Sequence, residues 1–376
     1  MSRDKKKVIA AGHICIDITP IFPQEKVEHI GDILKPGRLI EMDNVSVSTG
    51  GSVANTGLAL KLLGADVSLM GKIGNDDFGK LILNILHKYD AEEGMLVCDG
   101  ENSSYSVVLS IPGIDRIFLH DPGANATFCA DDVPQEALNE AVLFHFGYPP
   151  LMKTMYRNNG HVLIRLMKRA KASQVATSLD FTSIDENAET GKVDWLFVLE
   201  QLIPYVDFFV PSVEELCFML DKERFSTWQE RAAGRDITEI LDIDADVKPL
   251  ADICVQLGAK VLLIKCGAKG MYYRTANKDV LQQVGANVEL DIDAWADKEG
   301  FEKSFKPERI ASGTGAGDTS IAAFLTAILE GSTIEESVQL AAATGANCVA
   351  SYDALGGLKS LDELRTKIAA GWEKNE

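Results

Sequence analysis

The alternation of short apolar runs with stretches of helical period constrains this chain more than any other feature. Residues 8–13 read as a strand, 52–63 as a helix, 66–72 as a strand and 77–89 as a helix, the rhythm of a parallel sheet covered on both faces. The beat returns in strands 142–146 and 174–180, separated by a basic helix around 161–171, then in strand 207–211 with helix 213–220 and in strand 260–265. From Thr319 onward the pattern is helical, over 319–329, 334–350 and 361–372, broken by Gly331 and by Gly356-Gly357. Two stretches leave this rhythm: 37–48 and 104–119 alternate apolar and polar residues, with turn chemistry at 111–115. They predict a small antiparallel sheet, a lid drawn from about 14–48 and 100–122. The expected architecture is one α/β domain over 1–376, with the polar, poorly periodic segments 221–249 and 287–308 as surface insertions. No internal repeat is evident.

Composition narrows the partners. The 376 residues are 46% hydrophobic and 25% charged, an ordinary globular balance. A formal charge of −19 repels phosphate backbones and anionic membranes, so neither nucleic acid nor a membrane surface is an expected partner. The seven cysteines stand singly, without C-x-x-C spacing, which points to a reducing, cytoplasmic setting and away from a disulfide framework or zinc site. Asp242-x-Asp244-x-Asp246 opens like a calcium loop, but Val247 and Ile253 stand where glycine and glutamate are needed. Cys266, at the end of an apolar strand, reads as a core thiol, and His145, on another, as a packed or surface histidine rather than a ligand.

The strongest local signal is Ser312-Gly313-Thr314-Gly315-Ala316-Gly317-Asp318, placed directly before a helix. Small residues there let backbone N–H groups converge at a helix N-terminus, where unpaired donors and the helix dipole attract anions. A carboxylate beside such a pocket disfavours phosphate binding but can take a proton from an attacking hydroxyl. The alternative is a glycine-rich connector in which Asp318 merely caps the helix. No G-x-x-x-x-G-K-[ST] run occurs, and a dinucleotide fingerprint would need glycine at position 318. Near the N-terminus Gly12 closes the first strand, Asp17 follows, and Gly50-Gly51 lead to Asn55 on the next helix. An acid that accepts two hydroxyl protons and an amide that both donates and accepts suit a polyol, although a loop acid and a helix-cap amide remain equally open readings.

These motifs, taken in order, resemble the ribokinase/PfkB family of carbohydrate kinases: Gly50-Gly51-x-x-x-Asn55, Leu63-Gly64-Ala65, Gly71-Lys72-Ile73-Gly74 through Phe78-Gly79, and Gly315-Ala316-Gly317-Asp318. Between them Pro122-Gly123-Ala124-Asn125, Phe146-Gly147-Tyr148, Pro211-Ser212 through Leu216, and Lys265-Cys266-Gly267-Ala268-Lys269-Gly270 also fit, so the resemblance spans roughly 8–360. It implies a ribokinase-like three-layer α/β/α fold with a mainly parallel central sheet and a β-sheet lid. The implied activity is transfer of the γ-phosphoryl group of ATP, with Mg²⁺, to a hydroxymethyl group of a ketohexose, pentose or sugar acid. Asp318 would be the catalytic base and the N–H groups of Gly315, Ala316 and Gly317 the anion hole. Asp17, Gly50, Gly51 and Asn55 would hold the sugar, with Arg116 and Asn125 from the lid side. Ser212, Glu215, Lys265, Gly267, Gly270, Thr314 and Asn347 would face the nucleotide, Glu215 holding Mg²⁺ through water.

Three departures matter. Ser212 replaces the asparagine of the family's N-x-x-E, Val53 stands where a smaller residue is frequent, and Ser312-Gly313 replace an Asp-Thr pair whose acid belongs to a potassium loop in several members, which leaves a K⁺ requirement open. Nucleoside and phosphosugar kinases of the same family, and a non-catalytic sugar-binding relative, are the competing functions. The exposed edge of the lid suggests a homodimer.

Overall fold

Strands paired on both sides and buried along their whole length need cover on both faces, and this chain supplies it. The computed structural model describes residues 6–23, 27, 29–114, 116–351 and 353–375. The charged start at 1–5, Asp115 of the expected turn, and 24–26 and 28 of the expected lid lie outside the described residues. The strands are β1 (Lys7–Gly12), β2 (Cys15–Ile21), β3 (Asn44–Gly50), β4 (Asp66–Met70), β5 (Lys72–Gly74), β6 (Leu96–Cys98) and β7 (Tyr105–Leu109), followed by β8 (Ile117–Asp121), β9 (Leu143–Gly147), β10 (Ala176–Asp180), β11 (Phe208–Phe209), β12 (Val261–Lys265), β13 (Gly270–Thr275) and β14 (Glu299–Lys303).

The larger sheet has the order β14-β13-β12-β11-β10-β9-β1-β4. It is parallel from β4 through β12, and β13 and β14 add to it antiparallel. Its side chains alternate between two cores. Val8 and Ala10 enter one with Leu58, Ile321, Phe324 and Leu340 of the helices Ser52–Leu62, Ala316–Glu330 and Ile334–Cys348. Ile9 and Ala11 enter the other with Leu163, Leu199, Leu216 and Leu250 of Lys153–Ala172, which is kinked at 157–160, and of Trp195–Leu202, Val213–Leu220 and Lys248–Gln256. Period-two alternation on strands buried on both faces is what produces the three layers.

The second sheet has the order β3-β2-β7-β8. It is mixed rather than antiparallel as expected: β2 runs parallel to β7, while β3 and β8 fold back against them. The reason is topological, since β2 and β7 each begin a separate excursion in the same direction. The strand expected over 37–48 begins only at Asn44.

The segments read as surface insertions are corrected. Within 287–308, β14 forms the sheet edge, and Trp295 and Phe305 are buried. A five-residue edge strand with one paired side carries too few apolar residues to show a period. Within 221–249, the helix Lys222–Ala232 buries Trp228, whose Nε1 donates to Asp246 Oδ1 at 3.1 Å, while Arg231 pairs with the same oxygen at 3.0 Å. Beyond the strand read at 260–265, β13 and β14 continue the sheet, and Met271-Tyr272-Tyr273, rich in strand formers, is the signal for the first of them.

His145 is fully buried between Ser52 Oγ at 3.2 Å and Ser178 Oγ at 3.0 Å, and burial together with the Lys265 charge takes its pKa down to about 3. The Cys266 thiol is also buried, which pushes it up to about 12. Cys266 is the core thiol its strand suggests, and of the two readings of His145 the packed one holds.

Candidate active site

The carboxyl ends of β1, β9 and β10 stand level, Gly12 in register with Gly147 and Gly147 with Asp180. This is the edge of a parallel sheet at which ligands collect. Two helices start over it. The turn of Gly51 opens Ser52–Leu62, whose first residues include Asn55 and Thr56, and Gly315 opens Ala316–Glu330. Gly315 has φ of +73°, and a Cβ there would lie 2.2 Å from that of Ala354, so only glycine lets the loop turn into the helix at this point.

Asp318 sits in the first turn of that helix and is 4% exposed. Asn55 Nδ2 donates to its Oδ2 at 3.0 Å, Thr56 Oγ1 to its Oδ1 at 3.3 Å, and the Tyr148 hydroxyl lies 2.8 Å from both oxygens. Burial raises its pKa, against the pull of these hydrogen bonds and of the Lys265 charge. A desolvated carboxylate fixed by neutral donors is suited to receive a proton.

Asp17, on β2, lies on the face of the small sheet that also carries Ser48 and Ser106 in register with it. A Cβ on Gly50 would fall 2.2 Å from Asp17 Oδ2, so the glycine makes room for the carboxylate to lie against the backbone. Burial raises the Asp17 pKa, opposed by hydrogen bonds from Cys15 and Ser106. Asp17, Asn55, Arg116, Ser48 and Thr314 line a cavity of about 270 Å³ between the small sheet and the glycine-rich loop. Arg116 Nη1 donates to Thr314 Oγ1 at 2.9 Å, joining the small sheet to the glycine-rich loop. Ser312 Oγ in turn accepts from Thr314 N at 3.1 Å.

On the other side of the loop Lys265, at the end of β12, pairs with Asp180 Oδ1 at 2.6 Å. Burial works against its charge, but Asp180, Glu215 and Asp318 outweigh it and hold the pKa above the usual lysine value. A Cβ on Gly317 would lie 3.8 Å from Lys265 Nζ, which brings a fixed positive charge beside the N-terminus of the helix. Ser212 and Glu215 form a reciprocal cap: Glu215 N donates to Ser212 Oγ at 3.2 Å and Ser212 N to Glu215 Oε2 at 2.8 Å. Gly267 and Gly270 make the turn between β12 and β13. Asn347 lines a separate cleft of about 680 Å³ with Arg309, Gly356, Lys359 and Lys367, and accepts from Lys367 Nζ at 3.1 Å.

Asn125 is not where a sugar ligand would need it. It is fully buried; its Oδ1 accepts from Ile14 N at 3.1 Å and its Nδ2 donates to Ile14 O at 2.8 Å and to Pro122 O at 3.1 Å. The amide clamps the connection between β1 and β2, and the expected substrate role is corrected to that of a clamp. Asn125→Ala should cost about 1–3 kcal/mol by stripping two buried backbone groups of their partners, read as a lower denaturant midpoint with an unchanged slope.

Tyr148, Thr56 and Asp180 were missed from the sequence. Tyr148 and Asp180 follow or end strands at the ligand-collecting edge, a signal that was available; Thr56 carries none. Among the described residues no group of three His, Cys, Asp or Glu side chains is disposed to hold a metal ion directly, and no helix is long and apolar enough to cross a membrane.

A sugar kinase of Archaeoglobus fulgidus, itself uncharacterized, is 24% identical over 312 residues, 81% of this chain and all of the relative. The 2-dehydro-3-deoxygluconokinase of Bacillus subtilis is 21% identical, covering 89% of this chain and 90% of its own. The ribokinase of Arabidopsis thaliana, solved with ribose and ATP, superposes with a TM-score of 0.68 at 19% identity, over 96% of this chain and 98% of that one. The fold is ribokinase-like, three layers with a mainly parallel sheet and a β-sheet lid. A model of the pfkB family carbohydrate kinases matches residues 6–360, and the chain belongs to that family.

Proposed function

We propose that the protein transfers the γ-phosphoryl group of ATP to a hydroxymethyl group of a sugar, drawn from the ketohexoses, pentoses and sugar acids. The observation that carries this reading is the position of Asp318, a buried carboxylate between the polar cavity of Asp17 and Asn55 on one side and the loop of Gly315, Ala316 and Gly317 on the other. Asp17 and Asn55 orient the acceptor's hydroxyls. Asp318 takes the proton of the reacting hydroxyl as its oxygen bonds to phosphorus. The N–H groups of Gly315, Ala316 and Gly317, with Lys265, meet the negative charge that develops on the transferred group. Thr314 and Arg116 close the cavity against water.

The acids Asp180, Glu215 and Asp318 around a single lysine make a donor set that fits a hydrated magnesium ion carried by phosphates rather than an all-protein cage. When bound, Mg²⁺ supplies charge neutralisation at the phosphate oxygens; Glu215 would hold it through water. The cleft of Asn347, Arg309 and Lys367 has the size for a nucleoside. Seven free thiols suit a reducing, cytoplasmic setting.

ADP release with Mg-ATP over pentoses, ketohexoses, sugar acids, phosphosugars and nucleosides tests the reading. One strong acceptor among the first three classes supports it. Release only with a nucleoside or phosphosugar contradicts the acceptor class, and silence across the panel contradicts the activity.

A homodimer through the lid is part of the same reading. Val47, Ile18, Val107 and Leu119 stand in one register row across all four strands of the small sheet, on the face opposite Asp17. Val47 is 43% and Leu119 54% exposed, while Ile18 packs against the core, so the two ends of the row are left for a second copy to cover. Sedimentation should give twice the chain mass, and Val47→Lys should return it to the monomer; a wild-type monomer at micromolar concentration overturns this.

A further inference from the structure

We infer that Tyr148 acts as a hydroxyl stand-in on Asp318, blocking the base against water until an acceptor displaces it. The inference rests on Asp318 being the base and goes beyond it. An ionised carboxylate offers about four lone-pair sites. In Asp318 four contacts from three donors meet them: Asn55 on Oδ2, Thr56 on Oδ1, and the Tyr148 hydroxyl bridging both. The single Tyr148 proton is shared between the two oxygens, so the hydroxyl sits where an incoming donor would reach both. Asn55 and Thr56 belong to the first turn of one helix and stay with Asp318 as part of its packing. Tyr148 is the one donor that comes from a loop, the turn after β9, and its hydroxyl has the same chemistry as the group a kinase must deprotonate.

The backbone supports a special role. Tyr148 holds φ of +66° and ψ of 42°, a left-handed conformation costly for a bulky residue, and Pro149 follows it directly. Such strain persists where the surroundings over-determine it, and here they do so by carrying the ring beside His13, at 6.2 Å between centroids, and the hydroxyl onto the base.

The chemical consequence concerns the competing acceptor. If water lost its proton to Asp318 as its oxygen bonded to the γ-phosphorus, the bond to ADP would break with its electron pair, and ATP would be hydrolysed to ADP and phosphate. With the Tyr148 hydroxyl bridging both oxygens, a water must first displace that donor before its proton can pass to Asp318. A sugar held by several hydroxyls at once has the binding energy to move the tyrosine aside, whereas a lone water does not.

Tyr148→Phe keeps ring and backbone but removes the donor. Acceptor-free ATP hydrolysis should rise about tenfold, the order of one lost charge-assisted hydrogen bond, and the KM for the sugar should fall. The acid limb of kcat/KM should also move to higher pH, because a donor that stabilised the charged carboxylate is gone. The groups facing Asp318 that set this limb are Lys265 from β12, Asp180 from β10, Glu215 from its capped helix, Asp17 from β2 and Tyr148 itself. Tyr148→Asn, with a residue tolerant of the left-handed backbone, should raise hydrolysis as well and guards against a packing defect in the first variant. Unchanged hydrolysis together with an unmoved acid limb overturns the inference. Asp318→Asn separates the two claims: if it still transfers phosphate at the wild-type rate, the base is wrongly assigned, whereas if it is inactive and Tyr148→Phe is silent, only the role of Tyr148 fails.

Discussion

Asp318→Asn should lower kcat by about 10²–10⁴-fold, the span that a positioned general base contributes, while the chain keeps its fold and its ligands. The substitution is close to isosteric and retains an oxygen to accept from Thr56 or Tyr148. What it removes is the ability to take a proton. The amide also adds an N–H where Asn55 and Tyr148 now donate, so one contact turns repulsive. A small loss of stability is expected from that clash, and the raised pKa of the wild-type acid offsets part of it, since the native fold already disfavours the charged form. Circular dichroism and nucleotide binding by calorimetry should therefore stay near wild type while turnover collapses. Near wild-type kcat in this variant would remove Asp318 from the chemistry.

Lys265→Ala should have the largest effect on stability. The ammonium and Asp180 are 2.6 Å apart with side chains 13% and 1% exposed. Deleting one member of such a pair leaves the other charge buried and uncompensated, at a cost of about 3–5 kcal/mol. With an unfolding entropy of about 2.1 cal/mol/K per residue, that corresponds to a Tm lower by roughly 5 °C for a chain of this length. The sign with pH follows from the stranded acid: burial raises its folded-state pKa above the unfolded value, so the deficit is greatest at neutral pH and shrinks as falling pH protonates Asp180. Asp180→Asn combined with Lys265→Met should recover most of the stability and none of the activity, because the fixed charge beside Gly317 is still missing. If the double variant instead turned over normally, Lys265 would be an element of folding alone.

Parts of this site were legible in the residues, and physical reasons separate them from the parts that were not. Buried parallel strands such as β1 and β12 show as runs of apolar residues, and the helix Val213–Leu220 coincides with its expected range because Ser212 and Glu215 form a capping box around its first turn. Gly315 and Asp318 could be read because a tight loop into a helix permits few residue types. Asn125 illustrates the limit: an amide in a glycine-rich turn has the same appearance whether it faces a cavity or a neighbouring backbone, and it faces Ile14. β14 escaped because an edge strand shows too little pattern. Tyr148 and Thr56 reach Asp318 across separations of 170 and 262 residues, and no local period encodes such a meeting.

The central claim is that Asp318 delivers a sugar's hydroxymethyl oxygen to the γ-phosphorus of ATP. Phosphorus NMR of wild-type protein turning over Mg-ATP with the best acceptor tests it most directly, with Asp318→Asn as the parallel sample. The account requires one phosphate monoester on a CH₂–O carbon for each ADP formed, and no ester from the variant. ADP accompanied only by inorganic phosphate, or an ester formed equally well without the Asp318 carboxylate, would contradict it.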